Sequence, residues 1–481
     1  MLNYDGSSLF ISQKDIEVIH EYTLKTLSEV GIIFDHPEVL EVFKKHGARV
    51  DGNKVFMDEA LISKAIATVP IEFEMYGRRG GLKIGKRYDP KVGPGTDWPL
   101  IVDEENNIRP PVFEDLLKFY KLMETSDIMD FSQLPITNLP EFGGKGDCTY
   151  LAQIALMLKY TSKFYANPAR PNQSNVGSKG IRQTVKEYHQ MLKEFHGVDD
   201  DKYIVMELLC VQSPLCNDKE MLDNLLEAAA ANQPVSVVIA SMTNTTSPST
   251  LLGTAIHDNA VALATTTLIQ LLRPGLPVVH TILSSPSDMR YIQMGTGSTE
   301  NALLAYAGIA MGRYYGIPVR GGGTLSDAVD VDYQTGAESA MTLMPAYLCN
   351  VDYITHCAGG MGVFNVGSFE KFVLDEELVG YMKRMARGFD SSEPEFAFKQ
   401  MKDIGPRGNY LMGRTPKQYR KETYLAKLFN KKGGMISVRD DGTLREKACR
   451  HIQERVERYE LPETDKGQQE VLDRYLKPLG L

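Results

Sequence analysis

The densest group of ligand-capable residues lies between 320 and 338. It runs Arg320, Gly321-Gly322-Gly323, then Ser326, Asp327, Asp330, Asp332, Tyr333, Gln334 and Glu338. Three consecutive glycines open the backbone to close approach by another molecule. Arg320 can receive a carboxylate or form an ordinary ion pair within the fold. Asp332 also reads as a helix N-cap, with Glu338 able to bond back to the first turn. A second glycine-rich stretch, Cys357-Ala358-Gly359-Gly360-Met361-Gly362, follows His356 directly, and Phe364 lies just beyond. The single tryptophan, Trp98, stands beside Asp97 in Gly93-Pro94-Gly95-Thr96-Asp97-Trp98-Pro99. An indole next to a carboxylate suits a cationic ligand, although a lone tryptophan is more often core. His280 and His356 sit in or at the end of apolar runs, where a histidine is more often a satisfied core residue than a catalyst.

Other chemistries lack their residues. There is no G-x-x-x-x-G-K-[ST] phosphate loop, no H-E-x-x-H, and no G-x-G-x-x-G between a strand and a helix. The nine histidines are dispersed. A zinc site would have to be gathered from distant residues such as Cys210, His280 and His356, so no metal is expected. No residue is assigned as catalytic acid, base or nucleophile. An aldolase or lyase would want a Schiff-base lysine at a strand end, and the strand ends after residue 200 offer none. The 53 Lys+Arg are outnumbered by 62 Asp+Glu, for a net charge of −9, which argues against nucleic acid as a partner. No apolar segment is long enough for a membrane span, and Met1–Asp5 does not open a signal peptide. The six cysteines form no C-x-x-C and read as buried thiols in a reducing cytoplasm.

The elements that must position these residues have a rhythm. Short β-type runs appear at Ile128–Phe131, Lys163–Ala166, Tyr203–Leu209, Val235–Ala240, Pro277–Leu283, Pro318–Gly321 and Val351–His356, with helical spacing between them. That alternation points to parallel βαβ units. Links from helix to strand are short, as in Asn232-Gln233-Pro234 and Tyr315-Gly316-Ile317-Pro318. Links from strand to helix are long and polar: 241–250, 284–300, 321–334 and 358–368. In a (β/α)₈ barrel the strand-to-helix loops build the active site, and an open doubly wound sheet obeys a similar rule. The expected class is α/β, a (β/α)₈ TIM barrel over 111–390. An N-terminal α+β extension over 1–110 and a helical C-terminal tail over 391–481 flank it. An eighth strand must come from around 92–103 or from the tail.

Several stretches together resemble the trimethylamine methyltransferase family. They are Pro248-Ser249-Thr250-Leu251-Leu252-Gly253-Thr254, Asn259-Ala260, the run from Leu271 to Val278, Asp288-Met289, Tyr315-Gly316-Ile317-Pro318, Ser326-Asp327, the run from Asp332 to Glu338, and Leu374-Asp375-Glu376-Glu377. The resemblance implies a barrel that moves a methyl group from a methylamine to the cobalt of a separate corrinoid protein. Founding members carry pyrrolysine. This chain has only standard residues, so it resembles the branch that acts on quaternary amines such as glycine betaine, proline betaine, carnitine or γ-butyrobetaine. On that reading no cofactor is tightly bound, and cob(I)alamin, which becomes methylcobalamin, is supplied by the partner. A homo-oligomer in the cytoplasm is expected. A betaine- or corrinoid-binding barrel without turnover is the alternative.

The chemistry fits that reading. Co(I) is already a strong nucleophile, and a quaternary nitrogen departs as a neutral amine needing no acid, so the protein must bind, align and exclude water. Trp98, Tyr333 and Phe364, with Asp97 nearby, are the expected ammonium sub-site. Arg320 and His356 are expected to take a betaine carboxylate, with Gln334 orienting either end. Gly321, Gly322, Gly323, Asp327, Gly359 and Gly360 are expected to face the corrinoid. His257-Asp258 stands where neutral polar residues would fit the family pattern better.

Overall fold

Runs rich in valine and isoleucine, cut off by proline, make the strands at the centre of the molecule. The structure is a computed structural model of mixed α/β type. It describes residues 6–86, 88–103, 105–137, 139, 141–142, 149–166, 168, 171, 173–392, 396–411, 417–431 and 442–481. Residues 1–5, read above for a leader, and Cys148 lie outside that set.

Five strands lie parallel in the order Val278–Ile282, Val235–Ile239, Val205–Val211, Phe164–Ala166, Phe131–Ser132. A second parallel set is Arg320–Gly321, Tyr353–Ile354 and Lys91–Val92. A parallel bridge between His280 and Val319 joins the two sets at one end. At the other end Asp130 N–H donates to the Val92 carbonyl at 2.8 Å, and Val92 N–H donates to the Asp130 carboxylate at 2.9 Å.

Alternation along the strands gives two faces. On one, Leu209, Val235, Val237, Ile239 and Val278 pack on Leu222, Leu225, Leu263 and Leu268 of the Lys219–Ala230 and Leu251–Leu272 helices. The face away from the helices is also covered, so the strands read as continuous apolar runs. Its floor is Phe131, Phe164, Ala166, Met206, Val279 and Tyr353, closed by Phe73, Met75 and Ile84 of the Glu72–Gly77 and Gly80–Gly85 hairpin. Further along the same face Val238, Leu283 and Leu325 form a separate apolar cluster, edged by Leu208 and Phe364.

Ser, Thr and Asp side chains start the helices that follow the strands. Asp218 accepts from Met221 N–H, Thr250 from Gly253, Ser298 from Asn301, Asp332 from Thr335 and Ser368 from Lys371. The Leu251–Leu272 helix is apolar on most sides because neighbours surround it. The N-terminal region is tied in by its own sheet, in which Ile32–Phe34 runs parallel to Cys216–Asn217. In the tail, Ala448, Ile452, Val471 and Leu472 join the main core, and Arg455 pairs with Glu376 while nearly fully buried.

The cysteines correct one expectation. Cys349 and Cys357 are buried, but Cys210 is exposed and Cys216 and Cys449 are partly so. Among the described residues no helix is long and apolar enough to cross a membrane.

Candidate active site

The Val278–Ile282 strand shows how the site is layered. On the face away from the helices Val279 belongs to the floor, Thr281 follows, and Leu283 belongs to the upper apolar cluster. Polar groups occupy the level between. Arg320, first residue of its strand, is 3% exposed, and its Nε and Nη1 have no hydrogen-bond partner. Its guanidinium lies 6.0 Å from the centre of the Tyr353 ring. Burial pulls its pKa down to about 10, so it stays charged at neutral pH. A buried cation without an anion among the described residues is costly.

Gln133 Nε2 donates to Tyr353 Oη at 3.1 Å and to Thr355 Oγ1 at 3.2 Å. Gln133 Oε1, Ser236 Oγ and Thr281 Oγ1 are buried without partners. The His356 ring is 4.9 Å from that of Phe364, which in turn touches the upper apolar cluster. Burial and the nearby Arg320 charge pull His356 down to about 3, so its imidazole is neutral. The arrangement therefore offers one fixed positive charge at mid-depth, neutral hydrogen-bonding groups around it, and an apolar collar above.

The loops carrying these groups are fastened to each other. His356 N–H donates to the Pro94 carbonyl at 3.1 Å, and the His356 carbonyl accepts from Thr324 N–H at 3.0 Å. Lys371 and Asp375, one turn apart on the Phe369–Ala386 helix, form a buried pair at 2.7 Å. Lys371 also donates to the Thr324 carbonyl at 2.8 Å, and Asp375 accepts from Gly359 N–H at 3.0 Å. The pair thus holds both glycine-rich loops.

Asp327 accepts from Thr296 Oγ1 at 2.6 Å and from Gly297 N–H at 3.0 Å, latching the 284–300 loop. The His257-Asp258 step acts similarly. Asp258 Oδ1 accepts from Ser241 Oγ at 2.7 Å and contacts His257 Nδ1 at 2.8 Å. Serine and histidine both meet the carboxylate rather than each other, so this is a brace between a strand end and the Leu251–Leu272 helix and not a nucleophile with its base. His189 and Glu207, 2.7 Å apart, lie in the core. Burial holds His189 down at about 3 and Glu207 up at about 8, so both are neutral.

Several expected site residues do other work. Trp98 is 1% exposed, 4.8 Å ring to ring from Phe119. Its indole fills the space left by glycines: a Cβ on Gly95 or Gly367 would come within 2.4 or 2.5 Å of it. Gly359 and Gly360 lie against the same indole, and a Cβ on Gly323 would be 2.3 Å from the His356 carbonyl oxygen. Gly321 faces Ala346 and Gly322 faces Leu283. These glycines admit the protein's own side chains and backbone.

Tyr333 is 92% exposed at the start of the Tyr333–Leu348 helix and joins neither Trp98 nor Phe364. Gln334 bonds Glu338 on the helix surface at 2.8 Å. Asp97 accepts a hydrogen bond from Thr137 Oγ1 at the surface. Glu338 bonds back to the first turn through Gln334, as expected, and also accepts from Ser326 Oγ and Asp327 N–H, both at 2.8 Å. His280 faces the opposite side of the strand, against Gly312, so it does not meet Cys210 or His356. Among the described residues no three metal-ligating side chains gather.

Arg320, His356 and Phe364 are the members of the expected set that come together. The collar leucines and Val238, the Gln133 network and the Lys371–Asp375 pair were missed. Only the four-residue spacing of Lys371 and Asp375 gave a signal. A cleft of about 740 Å³ bounded by Arg49, Phe56, Lys64 and Gln270 shares no residue with this group.

Trp98→Ala is accordingly expected to cost about 3–5 kcal/mol of stability. Fluorescence of this sole tryptophan should not change when a betaine saturates the protein. Substrate-dependent quenching would return Trp98 to the ligand.

The family model described as trimethylamine methyltransferase (MTTB) matches residues 5–478. The chain belongs to the trimethylamine methyltransferase family. Within it, the chain is 42% identical over 472 residues to the proline betaine:corrinoid methyltransferase of Eubacterium limosum, covering 97% of each. It is 40% identical over 480 residues to the L-carnitine:corrinoid methyltransferase of the same organism, covering 99% of this chain and 98% of that one. The glycine betaine methyltransferase of Desulfitobacterium hafniense (strain Y51) is 31% identical over 420 residues, covering 87% and 86%. For this trimethylamine methyltransferase family member, the three relatives name betaine and carnitine chemistry in proteins of matching length.

Proposed function

We propose that this chain transfers a methyl group from a carboxylate-bearing quaternary amine to the cob(I)alamin of a separate corrinoid protein. The observation that carries the proposal is Arg320, a buried guanidinium with two unpartnered nitrogens below an apolar collar. Proline betaine, carnitine and glycine betaine, named for the relatives, each join a carboxylate to a permanently cationic nitrogen. The contacts between the two parallel strand sets support closure into a (β/α)₈ barrel, with Lys91–Val92 as its eighth strand. On that reading the barrel begins ahead of residue 110.

In this reading the substrate carboxylate goes down to Arg320 and a neutral His356 N–H, each bond charge-assisted. The ammonium stays up among Leu208, Val238, Leu283, Leu325 and Phe364, with one methyl pointing outward. Only Phe364 offers an aromatic face there. A weak cage is an advantage, because nitrogen loses its charge in the transition state and a strong cage would hold the ground state more tightly. The corrinoid supplies the nucleophile, and the protein supplies alignment and a dry site. Met289, Tyr291, Ile292, Val329 and Tyr333, all more than half exposed on the long strand-to-helix loops, form the surface on which the corrinoid protein lands.

The test is a panel of quaternary amines with a reduced corrinoid protein, read as the absorbance of methylated cobalt. Betaines should react at least 100-fold faster, as kcat/KM, than choline, which lacks the carboxylate. Betaine binding without methyl transfer would mark a binding barrel instead.

A further inference from the structure

We infer that Cys210 is a modification site, whose thiol exchanges with a small disulfide carrying a carboxylate and so closes the betaine pocket reversibly. That the adduct blocks betaine binding rests on the reading of Arg320 given above; the exchange itself does not. Met206, Leu208 and Cys210 alternate along the Val205–Val211 strand onto the face away from the helices, with Met206 in the floor and Leu208 at the edge of the upper cluster. Cys210 is the next residue on that face, and it is exposed. It pairs across with Val238, and Val238 with Thr281. The His280–Val319 bridge sets Arg320 beside Thr281. Cys210, Val238, Thr281 and Arg320 therefore form one row over four adjacent strands, about 14 Å end to end measured along the sheet. The two ends of the row interact: burial lowers the Arg320 pKa, and the Tyr353 and Cys210 charges oppose that.

Two independent features make this thiol a site. One is the guanidinium, 3% exposed with Nε and Nη1 unpartnered, which draws an anion. The other is the contrast with the remaining described cysteines. Cys349 and Cys357 are buried. Cys216 Sγ lies 3.9 Å from Asp35 Oδ2, and burial together with that carboxylate pushes its thiol up. Cys449 Sγ lies 3.7 Å from Glu370 Oε1. The thiolate is the attacking species; cations favour it and carboxylates disfavour it. Among the described cysteines, Cys210 is the one exposed on the same face as a cation.

In the exchange the Cys210 thiolate attacks one sulfur of the disulfide R–S–S–R. A new S–S bond to Cys210 forms, the old one breaks, and R–S⁻ leaves with its electron pair. Cys210 is oxidised and the released half of the reagent is reduced. The retained half carries its carboxylate toward Arg320 and lies across Val238 and Thr281, where the betaine would stand. A small thiol reverses the step. Cob(I)alamin persists only in reducing surroundings, so the pocket is capped under the conditions that also remove the methyl acceptor.

The test exposes the full chain at pH 8 to 3,3′-dithiodipropionate and, separately, to its diamide, and follows each cysteine by mass spectrometry. Addition at Cys210 should be about 10-fold or more faster with the dicarboxylate, the gain that a cationic cleft gives an anion. Cys216 and Cys449 should react more slowly and show no such preference. Arg320→Gln should abolish the preference at Cys210, and a saturating betaine should slow addition to the wild-type chain. The adduct should lose betaine binding by calorimetry and regain it with dithiothreitol, while Cys210→Ser keeps binding in the presence of the reagent. Equal rates for the two reagents at Cys210, faster addition at Cys216 or Cys449, or an adduct that binds betaine as the unmodified chain does overturns the inference. A dicarboxylate preference at Cys210 in a chain that binds no betaine keeps the exchange site and removes the proposed function. If Arg320→Gln does not fold, the wild-type ratio decides.

Discussion

Arg320→Gln is expected to lower kcat/KM for a betaine by about 100-fold or more, almost all of it as a higher KM. The carboxylate is gripped equally in the ground and transition states, so losing the grip is a loss of uniform binding. Cutting one partner from a buried hydrogen-bonded charge pair costs about 2–5 kcal/mol. The same substitution should leave the thermal midpoint level or raise it, because without substrate Arg320 is a buried cation with unpartnered nitrogens. Few residues lower binding while relieving the empty protein. A melting point that falls with the activity would make Arg320 a structural residue. Turnover of choline, however slow, should be unaffected by the change, since no carboxylate is there to miss its partner.

Asp375→Ala is expected to destabilise the protein by about 3–5 kcal/mol, the range seen when one member of a buried ion pair is removed. The variant strands the Lys371 ammonium, 1% exposed at its side chain, and leaves Gly359 N–H without its acceptor. Because Lys371 also holds Thr324, both site loops should loosen, and kcat should fall along with stability. Lys371→Met combined with Asp375→Leu should recover much of the stability, since an apolar pair of similar volume avoids the desolvation penalty. It should not recover kcat fully, because the Thr324 and Gly359 bonds remain broken. Chemical denaturation of the two variants reads the first effect, and steady-state kinetics the second. A single variant within about 1 kcal/mol of wild type would mean that the pair contributes little.

Much of the architecture was legible because burial on both faces writes itself as apolar runs. Val235–Ile239 and Val278–Ile282 sit inside the stretches expected from their β-branched residues and flanking prolines. The Lys219–Ala230 helix starts at Asp218, whose carboxylate caps it by accepting from Met221 N–H. Lys91–Val92 was not readable as a strand. It is two residues long, follows Pro90, and becomes a strand only through its pairing with Tyr353–Ile354. The site was half legible. Arg320 and His356 stood out by type and by the glycines beside them. The glycines were read as room for a ligand, whereas the Trp98 indole takes that room at Gly359 and Gly360, and Ala346, Leu283 and the His356 backbone take it at Gly321, Gly322 and Gly323. The collar was invisible because Leu208, Val238, Leu283 and Leu325 come from four separate segments and look like any core leucine or valine.

The most direct test of the account is a crystal structure of the chain with a bound betaine that the activity panel has shown to be a methyl donor. The account predicts the carboxylate within hydrogen-bond distance of the Arg320 guanidinium, and the trimethylated or ring nitrogen among Leu208, Val238, Leu283 and Leu325. A ligand bound with its ammonium beside Arg320, or bound against Trp98, would contradict it.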